Sequence, residues 1–142
     1  MSGSVSAELE LQCVLARQVT VPLAASFFYC HEDPYAIRIA FHVGQEEPVE
    51  WTFARDLLSI GITGHEGIGD VRVWPSAGSE GGARDSVLNI ELGSPSGQVH
   101  LEASVAEISE FICRTYQIVP AGEESDHLNV ESELADLLRR GV

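Results

Sequence analysis

The chain contains 142 residues with a formal net charge of −14, and 44% of its residues are hydrophobic. A chain of this length and balance fits one globular domain over residues 1–142 rather than a disordered segment. So negative a protein disfavours nucleic-acid phosphates and anionic lipids as partners, because both bind to positive surfaces. We therefore expect protein partners and no nucleic acid.

The N-terminus and the cysteines indicate the compartment. The first four residues carry no positive side chain, so no signal peptide is predicted. No apolar stretch reaches the roughly 20 residues that a membrane span needs. The three cysteines, Cys13, Cys30 and Cys113, show no C-x-x-C spacing, which favours buried thiols in a reducing compartment over disulfides or a zinc ribbon. We expect a cytoplasmic protein that meets membranes only indirectly.

The first part of the chain predicts four antiparallel strands. Apolar and polar residues alternate with period two, which places the apolar set on one buried face. Trp51 is in phase with Val49 and Phe53, so core packing is its expected role, and Val43 is expected to point inward as well. Short turns with proline or glycine separate the segments and favour antiparallel pairing. The predicted strands cover residues 5–13, 19–29, 37–43 and 49–53.

At Ala54 the hydrophobic period changes to that of a helix. Residues 54–60 predict a short helix, and Gly61 is available to end it in the left-handed conformation. Residues 64–69 are glycine-rich and are expected to form a loop.

The segment that follows predicts three more strands. A fifth strand over residues 71–73 stops at Pro75, since proline lacks the N–H that a strand interior uses. Residues 76–85 are rich in glycine and predict a mobile surface loop. Residues 87–92 and 98–103 predict a hairpin.

The C-terminal part predicts two helices. Ser104 and Glu107 have the spacing of a capping box, and an apolar stripe extends from there to about Tyr116. An acidic connector over residues 120–126 leads to a final helix over residues 130–140. Together these elements predict an α+β fold, in which a strongly curved antiparallel sheet of about seven strands is covered by one short helix and two C-terminal helices.

Catalytic and ligand-binding chemistry finds little support. Cys30 beside His31 suggests a nucleophile and its base, but neighbours on a strand point to opposite faces. His31 with Glu32 and Asp33, or His65 with Glu66, could bind a metal weakly, but solvated turn residues are the far commoner explanation. The glycines of residues 64–69 lead into a strand, whereas a phosphate-binding loop leads into a helix. We predict no catalytic residue, no cofactor and no metal, and hence no enzyme.

Five residues are candidates for contact with a protein partner. Trp74 is out of phase with the apolar residues of its strand, so it points with Arg72 to the other face. Tryptophan and arginine are enriched at interface hot spots, but cover by a helix would explain Trp74 equally well. Arg55 and Asp56 open the short helix, where capping and ion pairing are the alternative to partner contact. Tyr35, after the proline turn, is likewise ambiguous between a local structural role and partner contact.

The chain contains three distinctive sequence blocks. They are DPY at residues 33–35, VEWTFARDLL at residues 49–58 and GDVRVWP at residues 69–75. In this order and with these gaps the chain resembles the SsgA-like family of actinobacterial sporulation and cell-division proteins. The resemblance extends from Val5 to about Leu138.

The resemblance implies a fold, an assembly and a function. It implies a strongly bent, barrel-like sheet assembled as a trimer, in a cytoplasmic protein concentrated at division septa. It implies a non-enzymatic division factor whose partners include the tubulin-like GTPase FtsZ and other SsgA-like proteins. Within the family, we favour the member that marks septum sites and recruits or promotes assembly of FtsZ during sporulation-specific cell division.

An alternative function belongs to a different class. A curved sheet of this kind also occurs in some nucleic-acid-binding proteins, so the chain could be a single-stranded nucleic-acid-binding protein. That activity needs aromatic side chains within a positive groove. The chain has only eight basic residues and 22 acidic ones. This balance argues against a positive groove and favours the division factor.

Overall fold

A computed structural model of the chain describes residues 3–16, 19–62, 64, 66–68, 70–77, 86–95, 97–127 and 137–139. The strands are β1 (Ser4–Val14), β2 (Thr20–Cys30), β3 (Ala36–His42), β4 (Val49–Ala54), β5 (Glu66–Ile68), β6 (Val71–Ala77), β7 (Ser86–Ser94) and β8 (Gly97–Ser104). The helices are α1 (Arg55–Gly61), α2 (Val105–Ile118) and a 3-10 helix at Glu124–His127. The predicted α+β class is confirmed.

The eight strands that the structure describes form one sheet in the order β4-β3-β2-β1-β8-β7-β6-β5. Every neighbouring pair is antiparallel, and β1 joins the two halves where Gln12 pairs with Glu102 and Val14 pairs with His100. Helix α1 contacts β4 at one edge of the sheet and β5 and β6 at the other. A helix of 7 residues is only about 10 Å long. The sheet must therefore curl for one helix to reach both edges, as the predicted barrel-like shape requires.

Helix α2 covers the inner face of the curled sheet. Its buried residues are Ile108, Phe111, Ile112 and Thr115. The Phe111 ring meets the Phe27 ring of β2 edge-on, with centroids 5.6 Å apart and planes at 70°, a geometry that aromatic pairs prefer. The backbone N–H of Glu107 donates to Ser104 Oγ at 3.2 Å, which confirms the predicted N-terminal cap.

The predicted inward positions hold along the middle of the sheet but not at one end. Phe53 is buried and Trp51 is half-buried against it, with ring centroids 6.2 Å apart. Val43 and Val49, expected to be buried, are 48% and 49% exposed. Strand alternation places Val49 on the core side of β4, but burial also requires a covering element. Val49 lies at the start of the edge strand β4, where its buried neighbour Phe41 contacts it from one side only.

Two predictions next to β6 are wrong. Part of the expected loop forms β5, which pairs with β6 from Glu66 to Ile68. Strand β6 continues through Pro75 to Ala77. It can do so because β5 pairs with it only as far as Val73. Among the described residues, Pro75 therefore has a paired strand, β7, on one side only, a position where proline is tolerated.

Gly61 does not end α1 in the left-handed conformation. The residue that follows α1, Ile62, has φ −63° and ψ −33°, which is ordinary right-handed helical geometry. Gly61 is buried inside the helix, and a Cβ there would collide with Cγ2 of Val73 on β6. Glycine is needed at this position for close approach and not for its backbone freedom.

Two predicted segments lie largely outside the described residues. Of the expected loop over residues 76–85, only Ser76 and Ala77 are described, and both belong to β6. Of the final helix over residues 130–140, only residues 137–139 are described, and they are helical. Within the described part of the chain, no helix combines the length and apolar character needed to cross a membrane.

The thiols are less buried than expected. Cys113 is exposed, whereas Cys13 and Cys30 are half-buried. Cys113 directly follows the buried Ile112 on α2 and so falls on the solvent side of that helix.

Candidate interaction surface

Arg55 lies in the core although it was a candidate for partner contact. The side chain is 1% exposed, and Nη2 lies 2.9 Å from Oε2 of Glu124. Nη1 donates to the carbonyl oxygens of Thr115 at 3.3 Å and Val119 at 2.7 Å. The alternative that the sequence offered, capping and ion pairing, describes these contacts. The pairing is not local, however, because the partners are 60 to 69 residues away.

The Arg55 guanidinium binds the C-terminal end of α2. The Thr115 carbonyl there also accepts from the backbone N–H of the cap residue Val119 at 3.0 Å, so Arg55 is its second donor. The partial negative charge at a helix C-terminus favours a cation. The guanidinium also lies over two aromatic rings, 5.0 Å from the Tyr29 centroid and 4.3 Å from the Tyr116 centroid. Arg55 therefore ties β2, α1, α2 and the segment around Glu124 together.

The electrostatics of this cluster shift two pKa values. Hydrogen bonds from its own backbone amide and from Arg55 hold the pKa of Glu124 below the ordinary value of 4.5. Burial raises the pKa of Tyr29 to about 12, with Arg55 acting in the opposite direction. The phenol is kept protonated and donates to the carbonyl of Pro34 at 2.8 Å.

Tyr35 and Asp56 lie at the surface beside this cluster. The Tyr35 carbonyl accepts from the backbone N–H of Arg55 at 2.7 Å, which places the turn after β2 against the start of α1. The Tyr35 side chain is 48% exposed, and Asp56 is exposed in the first turn of α1. Both remain available to a partner.

Trp74 points away from the core, as its phase predicts. On β6, Val71 and Val73 are buried, whereas Trp74 is half-buried on the opposite side. Its ring lies beside the His100 ring, with centroids 5.6 Å apart and planes at 34°. The ring that contacts Trp74 comes from β8, which is separated from β6 by β7. Most of the predicted final helix lies outside the described residues, so cover by that helix stays an alternative.

A buried amide fixes the orientation of His100. Nδ2 of Asn89 donates to the carbonyl of Trp74 at 3.1 Å and to Oγ of Ser76 at 2.7 Å. Because a carbonyl can only accept, Oδ1 of Asn89 must face His100, where it lies 2.7 Å from Nε2. Nε2 therefore carries a proton and donates it.

Arg72 is exposed on the outer side of β6. Its side chain is 63% exposed, and Nη1 lies 4.0 Å from Oε1 of Glu91 on β7. An exposed pair at this distance contributes little to stability, so the guanidinium can exchange partners at small cost. We call Arg72, Trp74, Glu91 and His100 the Trp74 patch.

The same outer face of the sheet continues across β1, β2 and β3. Cross-strand partners share a face, and the pairs Trp74–Asn89, Asn89–Glu102 and Glu102–Gln12 connect the Trp74 patch to β1. We call this side of the sheet, opposite the core, the outer face.

Beyond β1 a second polar network covers the outer face. Oγ of Ser26 donates to Oε2 of Glu8 at 2.7 Å. The hydroxyl proton is thereby used, so Nε2 of His42, also at 2.7 Å, must donate to Ser26 Oγ. The Arg38 guanidinium lies 4.7 Å above the Phe28 ring. The outer face thus presents rings and opposite charges, which suit a protein partner.

The sequence did not identify His42 and His100 as members of these networks. Alternation along β3 does place His42 on the outer face, but the neighbours of a side chain depend on strand register. Ser26 pairs with Glu8 and Ala40, whereas Ala24 pairs with His42. Such registers between strands are not readable from one strand alone.

Comparisons with known proteins place the chain in a family. Residues 23–124 match the family described as Streptomyces sporulation and cell division protein, SsgA. The chain is 49% identical over 135 residues to the sporulation-specific cell division protein SsgB of Thermobifida fusca, and the match covers 95% of each chain. It is 43% identical over 138 residues to SsgB of Streptomyces coelicolor, covering 97% of this chain and 98% of the relative. These names support a role in cell division during sporulation.

Solved structures agree with this similarity. The crystal structure of an SsgA-like sporulation-specific cell division protein from Thermobifida fusca matches with a TM-score of 0.83, covering 96% of this chain and 97% of that one. A second structure, from a study in which mutations in SsgB correlate to longitudinal cell division during sporulation of Streptomyces coelicolor, matches with a TM-score of 0.81, covering 89% of this chain and 97% of that one. Its sequence identity to this chain is 43%. Sequence and fold agree over most of the chain, and it therefore belongs to the SsgA-like family of sporulation and cell-division proteins.

Proposed function

We propose that this protein is a non-enzymatic cell-division factor that marks septum sites and recruits FtsZ, or promotes its assembly, during sporulation-specific division. It acts in the cytoplasm, concentrated at division septa, as a single SsgA-like domain over residues 1–142. The observation that carries the proposal is the similarity to SsgB proteins along nearly the whole chain. The partners are FtsZ and other SsgA-like proteins.

The proposed mechanism is multivalent binding. An oligomer presents several copies of one weak site, which raises the effective concentration of each contact without any chemical step. A homotrimer is the favoured assembly, and repeated sites on it would stabilise a polymer such as that of FtsZ.

The Trp74 patch is the part of the outer face that we assign to partner binding. Trp74 offers a half-buried ring whose centroid lies 5.6 Å from that of His100, and Arg72 offers a side chain that is 63% exposed. Residues of these two types dominate interface hot spots. Tyr35 and Asp56 form a second exposed group, beside α1.

Self-association is supported by apolar side chains that the helices leave uncovered. Val21, Val49 and Val99 are 39%, 49% and 45% exposed. Val49 pairs with the buried Phe41 and Val99 with the buried Leu92, so both lie on the core side of the sheet. We call Val21, Val49 and Val99 the apolar end. All three lie near the starts of their strands, β2, β4 and β8, and apolar side chains exposed together at one end of a sheet favour contact with another protein surface.

Sedimentation of FtsZ polymers tests the proposal. The purified protein is added to FtsZ with GTP, and we expect more FtsZ in the pellet and co-sedimentation of the protein. Arg72→Glu and Trp74→Ala should reduce both effects. Arg114→Glu is the matched control, because Arg114 is an exposed arginine on α2 away from the Trp74 patch.

The result can contradict the proposal at two levels. If the unaltered protein neither binds FtsZ nor changes its polymer over a range of salt concentrations, direct recruitment is wrong. If binding occurs but Arg72→Glu and Trp74→Ala match Arg114→Glu, recruitment stands and the Trp74 patch is the wrong surface.

A further inference from the structure

We propose that Cys30, His31 and Glu32 form a binding site for a thiophilic divalent cation such as Zn²⁺. One donor atom from each residue, a thiol sulfur, a ring nitrogen and a carboxylate oxygen, lies within 4.8 Å of the other two. The site is at the end of β2, away from the Trp74 patch on β6.

The turn after β2 explains why three consecutive side chains converge. On a strand their directions would alternate, but β2 ends at Cys30. The backbone N–H of Asp33 donates to the carbonyl of Cys30 at 3.0 Å, so the chain reverses within these residues. The reversal brings Oε1 of Glu32 to 3.9 Å from Sγ of Cys30.

The surrounding structure holds the turn in place. The backbone N–H of His31 donates to the carbonyl of Gly3 at 2.8 Å, and the His31 ring packs so closely on Gly3 that a Cβ there would collide with it. On the other side of the turn, the Tyr29 hydroxyl donates to the carbonyl of Pro34 at 2.8 Å. A turn fixed at both ends presents its donors with little loss of conformational freedom.

The donor set selects the kind of ion. Thiolate, imidazole and carboxylate are the ligands of Zn²⁺ in proteins, whereas Mg²⁺ and Ca²⁺ take oxygen ligands alone. Binding forms a metal–sulfur bond and releases the thiol proton to solvent. Tetrahedral donors around Zn²⁺ lie about 3–4 Å apart, given bond lengths near 2.0–2.3 Å, so small side-chain rotations from the present positions suffice.

Three protein donors leave one tetrahedral position open. Two of the three donor residues, Cys30 and Glu32, also line a cleft of about 350 Å³ together with Phe28, Asp33, Ala36 and Arg38. Water, or a donor atom of a bound protein, can complete the coordination there.

Titration of the full chain with Co²⁺, followed by absorption, tests the site. A thiolate bound to Co²⁺ gives a ligand-to-metal charge-transfer band in the near ultraviolet that carboxylates do not give. We expect this band with saturation at one ion per chain, its persistence in excess Mg²⁺, and its loss when Zn²⁺ is added. Zn²⁺ should also raise the melting temperature, because it binds the folded state.

Variants assign the band to its ligands. Cys30→Ser should abolish the band, and Cys113→Ser, which removes an exposed thiol, should leave it unchanged. Glu32→Gln should weaken Co²⁺ binding at least about tenfold, in the range seen for losses at metal sites, whereas Glu46→Gln in the next turn should not. Circular dichroism confirms that each variant is folded.

Two outcomes would overturn the proposal. One is a folded, reduced protein that shows no charge-transfer band. The other is a band that survives Cys30→Ser or disappears in excess Mg²⁺, which would indicate another thiol or loose attraction to the acidic surface.

Discussion

Arg55 shows how one charged side chain can organise an interior. Its guanidinium contacts a carboxylate, two helix-terminal carbonyls and two aromatic rings. A buried charge is costly unless it is paired and hydrogen-bonded, and these contacts supply both. Only Nε of Arg55 has no partner among the buried side-chain atoms of the described residues.

Replacing Arg55 by lysine should reveal how much the planar group contributes. Lysine keeps the charge but cannot reach Glu124 and both carbonyls with one fork of donors. We expect Arg55→Lys to lower the free energy of unfolding by about 1.5–3 kcal/mol, the size of hydrogen bonds to charged groups. Urea denaturation at fixed protein concentration measures this change in the free energy of unfolding. Arg72→Lys, at an exposed pair, should change it by less than about 0.5 kcal/mol; equal effects at both sites would contradict this account.

The Glu124 carboxylate should make stability depend on pH. Its pKa is lowered in the folded state, so the folded protein releases this proton more readily than the unfolded chain. The stabilisation is present above the ordinary pKa of 4.5 and is lost as the pH falls through the folded value. Glu124→Gln should therefore be less stable than the unaltered protein at neutral pH, and the difference should shrink in acid.

Urea denaturation over a series of pH values measures this difference. Glu123→Gln, at an exposed neighbour, should change the free energy of unfolding by less than about 0.5 kcal/mol at neutral pH. A gap between Glu124→Gln and the unaltered protein that stays constant into acid would show that ionisation of Glu124 is not its source.

At the scale of elements, α1 closes the curled sheet. It begins where Arg55 meets the turn after β2 and ends against β6, where Gly61 allows contact with Val73. The family blocks DPY, VEWTFARDLL and GDVRVWP supply these three pieces. The fold brings these three blocks together, so many of their residues serve to build the structure rather than to contact a partner.

The contact between α1 and β6 can be tested at Gly61. A methyl group there would collide with the Val73 side chain, and overpacking of a core typically costs about 1–3 kcal/mol. Gly61→Ala should lower the free energy of unfolding by that amount in urea denaturation, although alanine favours the helix. Gly64→Ala is the control, because nothing lies within 4 Å of a Cβ at Gly64. A neutral Gly61→Ala would show that β6 moves aside freely.

Strands and helices were largely predictable because their signals are local. Period two in residues 5–13 and the Ser104 cap depend on neighbours within a few positions. The burial of Arg55 was not predictable, because its partners Thr115, Val119 and Glu124 lie far along the chain. The predicted burial of Val43 and Val49 was wrong for a related reason. Alternation gives the face of a strand, but the reach of the covering helices decides what is buried.

The candidate site was predictable only in part. The phase of Trp74 against its strand correctly placed it on the outer face with Arg72. The contact with His100 depends on the alignment of three strands and leaves no mark in any one of them. The convergence of Cys30, His31 and Glu32 depends on where β2 ends, and strand ends are the least certain part of a prediction.

At the scale of the whole molecule, the curled sheet separates two surfaces. The outer face carries charge pairs, hydrogen-bonded histidines and the Trp74 patch. The inner face is apolar and ends in Val21, Val49 and Val99, which the helices leave exposed. With a net charge of −14, copies of the chain repel one another over most of their surface. The apolar end is therefore the place where we expect copies to meet.

Charges introduced on the two sides of β4 distinguish these surfaces. Val49 and Thr52 are both exposed on this strand, but Val49 pairs with Phe41 on the core side and Thr52 pairs with Arg38 on the outer face. Val49→Glu would place a carboxylate in the apolar end, where association would have to desolvate it. We expect this variant to shift the protein toward monomer in sedimentation equilibrium, whereas Thr52→Glu should retain the mass of the unaltered protein. If the unaltered protein is a monomer at micromolar concentration, or if both variants keep its mass, the apolar end does not join copies, and a different partner must cover it.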